Sequence, residues 1–416
     1  MKVTVNSEPN CKKILDIEVP HEEIQAEIDK QILLYRAKAN IPGFRRGKAP
    51  LEVVKRQFID GIKGDVFETL VPKAYDEAIS QEDLHPVEQP KLSNVEFDDD
   101  KPLKFRAEIE VRPEFEPKKY TGLKAERKVR AIEDKDVEES LSQMQRQNAE
   151  FTPVERKCHD NDLVITDLIK KYDKLNQLKD DKMEDVEIDL GSESVLKEFK
   201  EGLRGMGIGE MKDIEIKYPE DYTDKQFAGN EVKFTALVKE VKEIKLPELN
   251  DDFAKNFAQM ENLDKLKEQF RENMTLQANQ EADNALKGDL IKQIVDNNRF
   301  DVPETMVEKY LQSVTEDFKK RYQDVDEVKL KQSYRSVGED TIRWQFIYRE
   351  IADKESIKVI EEDRAAWVKN FANMYNMDEK TAREALGKAG KFNDIDDTLI
   401  EQKVLDFIKE NSKISS

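Results

Sequence analysis

The sequence predicts an α+β multidomain fold: an N-terminal α+β unit, a second small α+β domain and a largely α-helical C-terminal region, in an elongated molecule. Three observations predict it. Stretches whose apolar residues recur every three or four positions alternate with stretches where they recur every second position, and the last third is almost wholly of the first kind. The 416 residues exceed what one hydrophobic core usually organises. Charged residues make up 38% and mean hydropathy is −0.79, so surface is extensive relative to core.

Residues 13–20 read as a strand, with Ile14, Leu15, Ile17 and Val19 supplying its apolar character. His21 to Asn40 places Ile24, Ile28, Ile32 and Tyr35 on one face of a helix. Pro50, well suited to a first helical turn, opens a second helical run through Val53, Val54, Phe58 and Ile62 that continues to Ala74. From Lys91 the period falls to two, with Leu92, Val95 and Phe97 and then Leu103, Phe105, Ala107, Ile109 and Val111 on either side of an acidic turn at 98–102, which is a hairpin. These elements make a first unit over 1–115. Leu123 to Arg130 reads as an extended connector and Asp134 to Asn148 as a charged helix, so 116–151 is expected to be a linker.

Strands return at 163–169, 186–190, 213–216 and 231–238, with a short helix around 196–203, giving a small α+β domain over 152–243. From 244 to 416 the pattern is helical. Leu263, Leu266, Phe270 and Met274 form a stripe that Leu286, Leu290 and Ile294 continue, and further stripes follow to Ile408. Flanked by so many charged residues, these helices are expected to form arms with partly open apolar grooves, where Met260, Met274, Met306 and Met374 would give adaptable contact.

The net charge of −20 repels bulk nucleic acid and anionic membrane, so contact with RNA has to be local and no free nucleic acid is expected as partner. Two distant cysteines, Cys11 and Cys158, make no disulfide framework, and three histidines with two cysteines make a four-ligand zinc site improbable; no metal is expected. The N-terminus lacks the apolar run of a signal peptide, and no stretch of about 18 apolar residues is present to span a bilayer. A cytoplasmic protein with no membrane partner is expected.

The loop Ile41-Pro-Gly-Phe-Arg-Arg-Gly-Lys-Ala-Pro50 sets Arg45, Arg46, Lys48 and Phe44 between two helices. A basic tip on a helical hairpin suits contact with a negative partner; an ordinary interhelical turn with solvated cations has the same composition. It is not a nucleotide loop, because three residues rather than four separate Gly43 from Gly47 and Ala49 stands where Ser or Thr would hold Mg²⁺. The run Gly205, Gly207, Gly209 lacks dinucleotide spacing and precedes Glu210, which would repel a pyrophosphate. No cofactor is expected.

The stretch Gly43-Phe-Arg-Arg-Gly-Lys-Ala-Pro50, between two helices and after an N-terminal strand, resembles the ribosome-docking signature of the bacterial trigger factor family. Leu203-Arg-Gly-Met-Gly-Ile-Gly-Glu210, Tyr218-Pro-Glu-Asp-Tyr222 and Val232-Lys-Phe234 are similar to the second half of an FKBP-type peptidyl-prolyl isomerase. Leu246 to Phe253 and Phe300 to Glu304 resemble the junction and a helix start of that family's C-terminal domain, so the resemblance covers essentially the whole chain. It implies an ATP-independent chaperone, partly ribosome-associated. Gly43, Phe44, Arg45, Arg46, Gly47 and Lys48 would bind the large ribosomal subunit near the exit tunnel, and the helical arms would shield nascent or unfolded polypeptides. It also allows a homodimer off the ribosome.

Prolyl isomerisation needs an apolar, aromatic-lined cradle that favours the twisted X-Pro bond over a barrier of roughly 20 kcal/mol. By the resemblance, Leu196, Phe199, Tyr222 and Phe234 would line it, with Leu168 where the family carries a strand aromatic. The loop 170–181 lacks the family's glycines and phenylalanine. An active isomerase whose other domains recruit substrate, and a domain kept for its fold and its grip on clients, are both compatible with these departures.

Overall fold

The computed structural model describes residues 1–97, 101–175, 182–192, 195–220, 222, 227–322 and 325–415. They fall into two compact bodies, Met1–Lys128 with Asp283–Ser416, and Val129–Ala282. The architecture is the mixed one expected, with sheet in both bodies and a helical C-terminal region.

The first body opens with β1 (Lys2–Ser7), β2 (Lys12–Val19), α1 (His21–Lys38), α2 (Leu51–Gln81), β3 (Lys91–Glu96) and β4 (Leu103–Glu110). The strands form an antiparallel sheet of order β1-β2-β4-β3. Its register follows from alternation: Leu15, Ile17 and Val19 lie opposite Ala107, Phe105 and Leu103, all buried, while Asp16 and Glu18 lie opposite Arg106 and Lys104 on the other face. Arg106 donates two bonds to Asp16, at 2.8 and 3.2 Å. Against the apolar face α1 lays Ile24, Ile28 and Ile32, and α2 lays Val54, Ile62, Val66 and Leu70. Strand β1 was not legible in the sequence, because Val3 and Val5 are separated from each other by polar residues in too short a run to stand out. The hairpin between β3 and β4 is present, but Leu92 and Val95 of β3 face solvent, the register breaking where Asn94 takes a positive φ. Of the acidic turn expected at 98–102, residues 98–100 lie outside the described residues.

Of the stretch 116–151, the part up to Lys128 belongs to the first body and the rest to the second. Phe115 stacks on Phe300 with ring centroids 4.1 Å apart. Asn298, buried, accepts the Lys118 N–H at 2.7 Å and donates to the Lys118 and Ile294 carbonyls. Strand β5 (Lys124–Glu126) then buries Ala125 among the C-terminal helices.

In the second body α3 (Asp134–Gln147) precedes β6 (Glu150–Pro153), β7 (Asp162–Asp173), β8 (Lys182–Asp189), α4 (Lys197–Leu203), β9 (Met211–Lys217) and β10 (Glu231–Lys245). Strand β10 is the spine of an antiparallel sheet: one edge pairs with β7, the other with β9 along its first half and β6 along its second. Next, α5 (Asp251–Ala258) and the first half of α6 (Leu263–Asn297) pack Phe253, Ala254 and Leu266 against Val137 and Leu141 of α3. Helix α6 crosses the boundary, and its second half returns to the first body with Leu286, Leu290 and Ile294.

The chain closes with α7 (Glu304–Arg321), α8 (Glu327–Lys354), α9 (Glu361–Met374), α10 (Glu379–Lys388), α11 (Phe392–Glu410) and β11 (Lys413–Ser415). Strand β11 pairs in parallel with β5. Trp344, Ile347 and Ile351 of α8 meet Val404, Leu405 and Ile408 of α11 around α6. No described helix is long and apolar enough to cross a membrane.

Glu110, at the end of β4 and only 8% exposed, accepts the Thr305 N–H at 2.9 Å and the Thr305 hydroxyl at 2.7 Å. It therefore caps the first turn of α7, whose donors have no partner within the helix. E110A is expected to lower the unfolding free energy by about 1–2 kcal/mol, measured by chemical denaturation of the full chain.

In the second body Asp162, almost fully buried, accepts both arms of the Arg156 guanidinium and the His159 N–H at 2.8 Å. Burial alone would raise its pKa, but the Arg156 and His159 bonds hold it below the usual carboxylate range. Its contribution to stability is thus complete above about pH 4 and is lost as pH falls through the depressed folded value. D162N is expected to cost about 3 kcal/mol at neutral pH. The gap to the unaltered chain should narrow in acid, as followed by urea unfolding at several pH values.

Candidate functional site

The basic loop is built by its two ends. Ile41 and Ala49 are buried in the core under the sheet, and everything between them except half-exposed Gly47 is exposed. Two tight turns fill the interval. The Phe44 N–H donates to the Ile41 carbonyl at 3.1 Å and the Lys48 N–H to the Arg45 carbonyl at 2.9 Å. The third residue of each turn is a glycine at positive φ, Gly43 at +86° and Gly47 at +78°, as a type II turn requires.

This geometry sets the side chains. Phe44 is 41% exposed, unusual for a phenylalanine. Arg46 donates its Nε–H to the Ala37 carbonyl at 3.3 Å, bracing the loop on the last turn of α1. The Arg45 and Lys48 side chains meet no acceptor among the described residues. The structure adds residues that the sequence had not singled out. Leu33, Leu34 and Leu51 are exposed on the flanking helices. Between 33 and 56 the cations are Arg36, Lys38, Arg45, Arg46, Lys48, Lys55 and Arg56, against one acid, Glu52, on a chain of net charge −20. The tip is thus a cationic, partly apolar surface carried by an acidic protein, chemistry that fits a partner presenting phosphates or carboxylates together with an apolar contact.

All five residues expected to form the cradle in the second body join one apolar cluster. Phe234 of β10 and Leu168 of β7 are buried within it, while Leu196, Phe199 and Tyr222 are half-buried and packed against it. Tyr222 also belongs to an aromatic group not anticipated as one: Tyr218 lies 4.9 Å from Tyr222 and 4.7 Å from Phe227 between ring centroids. The proximity of two tyrosines four positions apart was the available signal. Of the loop 170–181, residues 176–181 lie outside the described residues. Cys158 is buried in the same cluster, and burial pushes its thiol pKa up to about 11.

In the helical region the four methionines divide. Met260 and Met274 pack against the α3–α5–α6 cluster and Met306 against the α7–α8 cluster, each half-buried. Met374 is 78% exposed, and Tyr375 and Met377 are exposed next to it, as is Ile360 at the other end of the helix. Trp367, Phe371 and Tyr375 line up along the same helix, with centroids 5.4 and 4.7 Å apart.

Comparison with known proteins matches these parts. Residues 1–144 fit the family model described as bacterial trigger factor protein, residues 262–410 that of the bacterial trigger factor C-terminus, and residues 154–242 that of FKBP-type peptidyl-prolyl cis-trans isomerase. The chain is 30% identical to the trigger factor of Geotalea uraniireducens (strain Rf4), with 100% of this chain and 98% of that protein covered. It is 29% identical to that of Solibacter usitatus (strain Ellin6076), with 97% of each covered. A solved structure from work on promiscuous substrate recognition in folding and assembly activities of the trigger factor chaperone aligns with a TM-score of 0.52 and 19% identity over 99% of each chain, a likeness of fold. Fold and matches together define a multidomain chaperone with an FKBP-type domain. Within that class, the chain belongs to the bacterial trigger factor family.

Proposed function

We propose that this chain is an ATP-independent chaperone that docks on the large ribosomal subunit near the exit tunnel and shields nascent polypeptides there. The observation that carries the reading is the loop 41–49, whose ends are buried while Phe44, Arg45 and Lys48 project with no partner among the described residues. Apart from Arg46, braced on the Ala37 carbonyl, these side chains gain nothing from their own chain, so their chemistry is available to another molecule. Arginine forks suit phosphate and carboxylate, and Phe44 adds an apolar anchor that salt does not screen. Docking is the work of Phe44, Arg45 and Arg46, with Lys48 adding charge and Gly43 and Gly47 supplying the turns. Shielding falls to exposed apolar side chains of the helical region, Met374 and Tyr375 among them, which cover a client weakly and release it once the client buries its own surface. Off the ribosome the same surfaces allow a homodimer, and the protein works in the cytoplasm.

Replacing Phe44, Arg45 and Arg46 together with alanine is expected to weaken ribosome co-sedimentation at moderate salt by about a hundredfold, with suppression of client aggregation in free solution intact. Unchanged co-sedimentation would refute the docking.

A second reading, that the domain 152–243 is an active prolyl isomerase, is favoured by the match to the isomerase family over 154–242 and by the aromatic group around Tyr222. Its action would be desolvation of the X-Pro bond over Phe234 and Leu168, between Phe199, Leu196 and Tyr222. On that reading the full chain accelerates a proline-limited refolding reaction, and Y222A or F199A slows it about tenfold without affecting aggregation suppression. No acceleration by the unaltered chain at micromolar concentration would remove the catalytic role.

A further inference from the structure

The loop's two turns fix its shape, but something else has to fix its direction relative to the hairpin that carries it. Helix α2 is bent near its start: Phe58 has φ −122° and ψ 17°, outside the helical region, so the segment from Leu51 to Gln57 leaves the axis followed by the rest. Tyr35, in the last turn of α1, touches that bend. Its carbonyl accepts the closing N–H of α1 from Ala39 at 2.8 Å, and its ring lies 5.6 Å from the Phe58 ring, tilted by 46°. Its hydroxyl is directed at Asp65, one helical turn and more beyond the bend, and this neighbour raises the phenol pKa. The tip of the ring occupies the space that a side chain at Gly61 would need. A Cβ there would lie 2.9 Å from the Tyr35 hydroxyl oxygen and 3.5 Å from Cζ, so the ring would have to shift from its place against Phe58.

We infer that Tyr35 is the positioning residue of the basic loop: packed on Phe58 and over Gly61, it ties the end of α1 to the α2 bend and to the helix just beyond it, and so sets where Phe44, Arg45 and Arg46 point. The inference rests on the docking reading for its function, but its structural part stands separately. Gly64 supplies the control. A Cβ at Gly64 meets nothing within 4 Å, so G64A gains the same helix propensity as G61A without the collision.

The test uses the full chain. In amide-resolved NMR spectra, G61A is expected to shift the Phe44 and Lys48 amides, which close the two loop turns, and G64A to leave both in place. Adding Y35F to G61A removes the colliding oxygen and leaves Cζ at an ordinary contact distance, so the double variant should bring both amides back. In ribosome co-sedimentation G61A should weaken binding about tenfold and the double variant should restore it. Unmoved amides in G61A, or amides still displaced in the double variant, would overturn the inference. Should the triple alanine variant at 44–46 lose binding while G61A binds as the unaltered chain does, positioning by Tyr35 fails and docking stands. Should the triple variant bind normally, the docking reading fails, and the amide positions alone decide for or against Tyr35.

Discussion

Burial of Ile41 and Ala49 is the interaction on which the exposed tip depends. The chain carries 90 acidic residues against 70 lysines and arginines, so an exposed arginine normally finds a carboxylate. Arg106 finds Asp16, Arg335 finds Glu304 and Arg364 finds Asp396. A slack loop would let Arg45 and Lys48 do the same. Anchoring both ends in the core, and turning the chain twice at left-handed glycines, leaves their side chains too little reach to fold back. The unpaired cations follow from apolar packing at the stems together with a local shortage of acid, Glu52 being the one acid between residues 33 and 56.

The rest of the first body is joined on the same principle, with buried polar groups in place of apolar stems. Asn298 uses both ends of its amide on the connector at Lys118, and Glu110 spends its carboxylate on Thr305 at the start of α7. Each such group would be costly if left unsatisfied, so each permits one arrangement of the backbone it bonds. The N-terminal sheet and the helices of this body therefore share a register that hydrophobic contact alone would leave loose.

Periodicity made the helices and most strands legible, since a two- or three-to-four-residue repeat is a property of one segment. Thus α6 was readable as one continued stripe, and β4 from Leu103 to Val111 as strict alternation. What stayed hidden depends on partners distant in sequence. The edge strand β6 is four exposed residues that become a strand only by pairing with Lys242 to Lys245 of β10. The connector around Lys118 looks like solvent-exposed chain until Asn298 is set beside it. At the loop, composition announced the cations and the glycines, but Tyr35 and Phe58 read as members of apolar stripes, and only their mutual contact across two helices marks them as something more. In the second body the five residues named by likeness to a family share one apolar cluster, and their division into two buried and three half-buried side chains depends on packing that the sequence alone does not show.

The mixture of phenylalanine and arginine at the tip answers a problem set by the net charge of −20. Toward a polyanion the body is repelled over long range, whereas the loop is attracted only close in. At physiological ionic strength the Debye length is about 8 Å, so the repulsion from distant parts of the body is largely screened, and the charges of the loop are weakened as well wherever they stay wet. Cations alone would thus give a contact that salt erodes. An exposed aromatic ring contributes by leaving water, which salt does not weaken, and it does so only when the surfaces actually meet. On the docking reading, Phe44 between Gly43 and Arg45 would convert an electrostatic attraction of short reach into a contact that requires fit, and the acidity elsewhere would confine that contact to the tip.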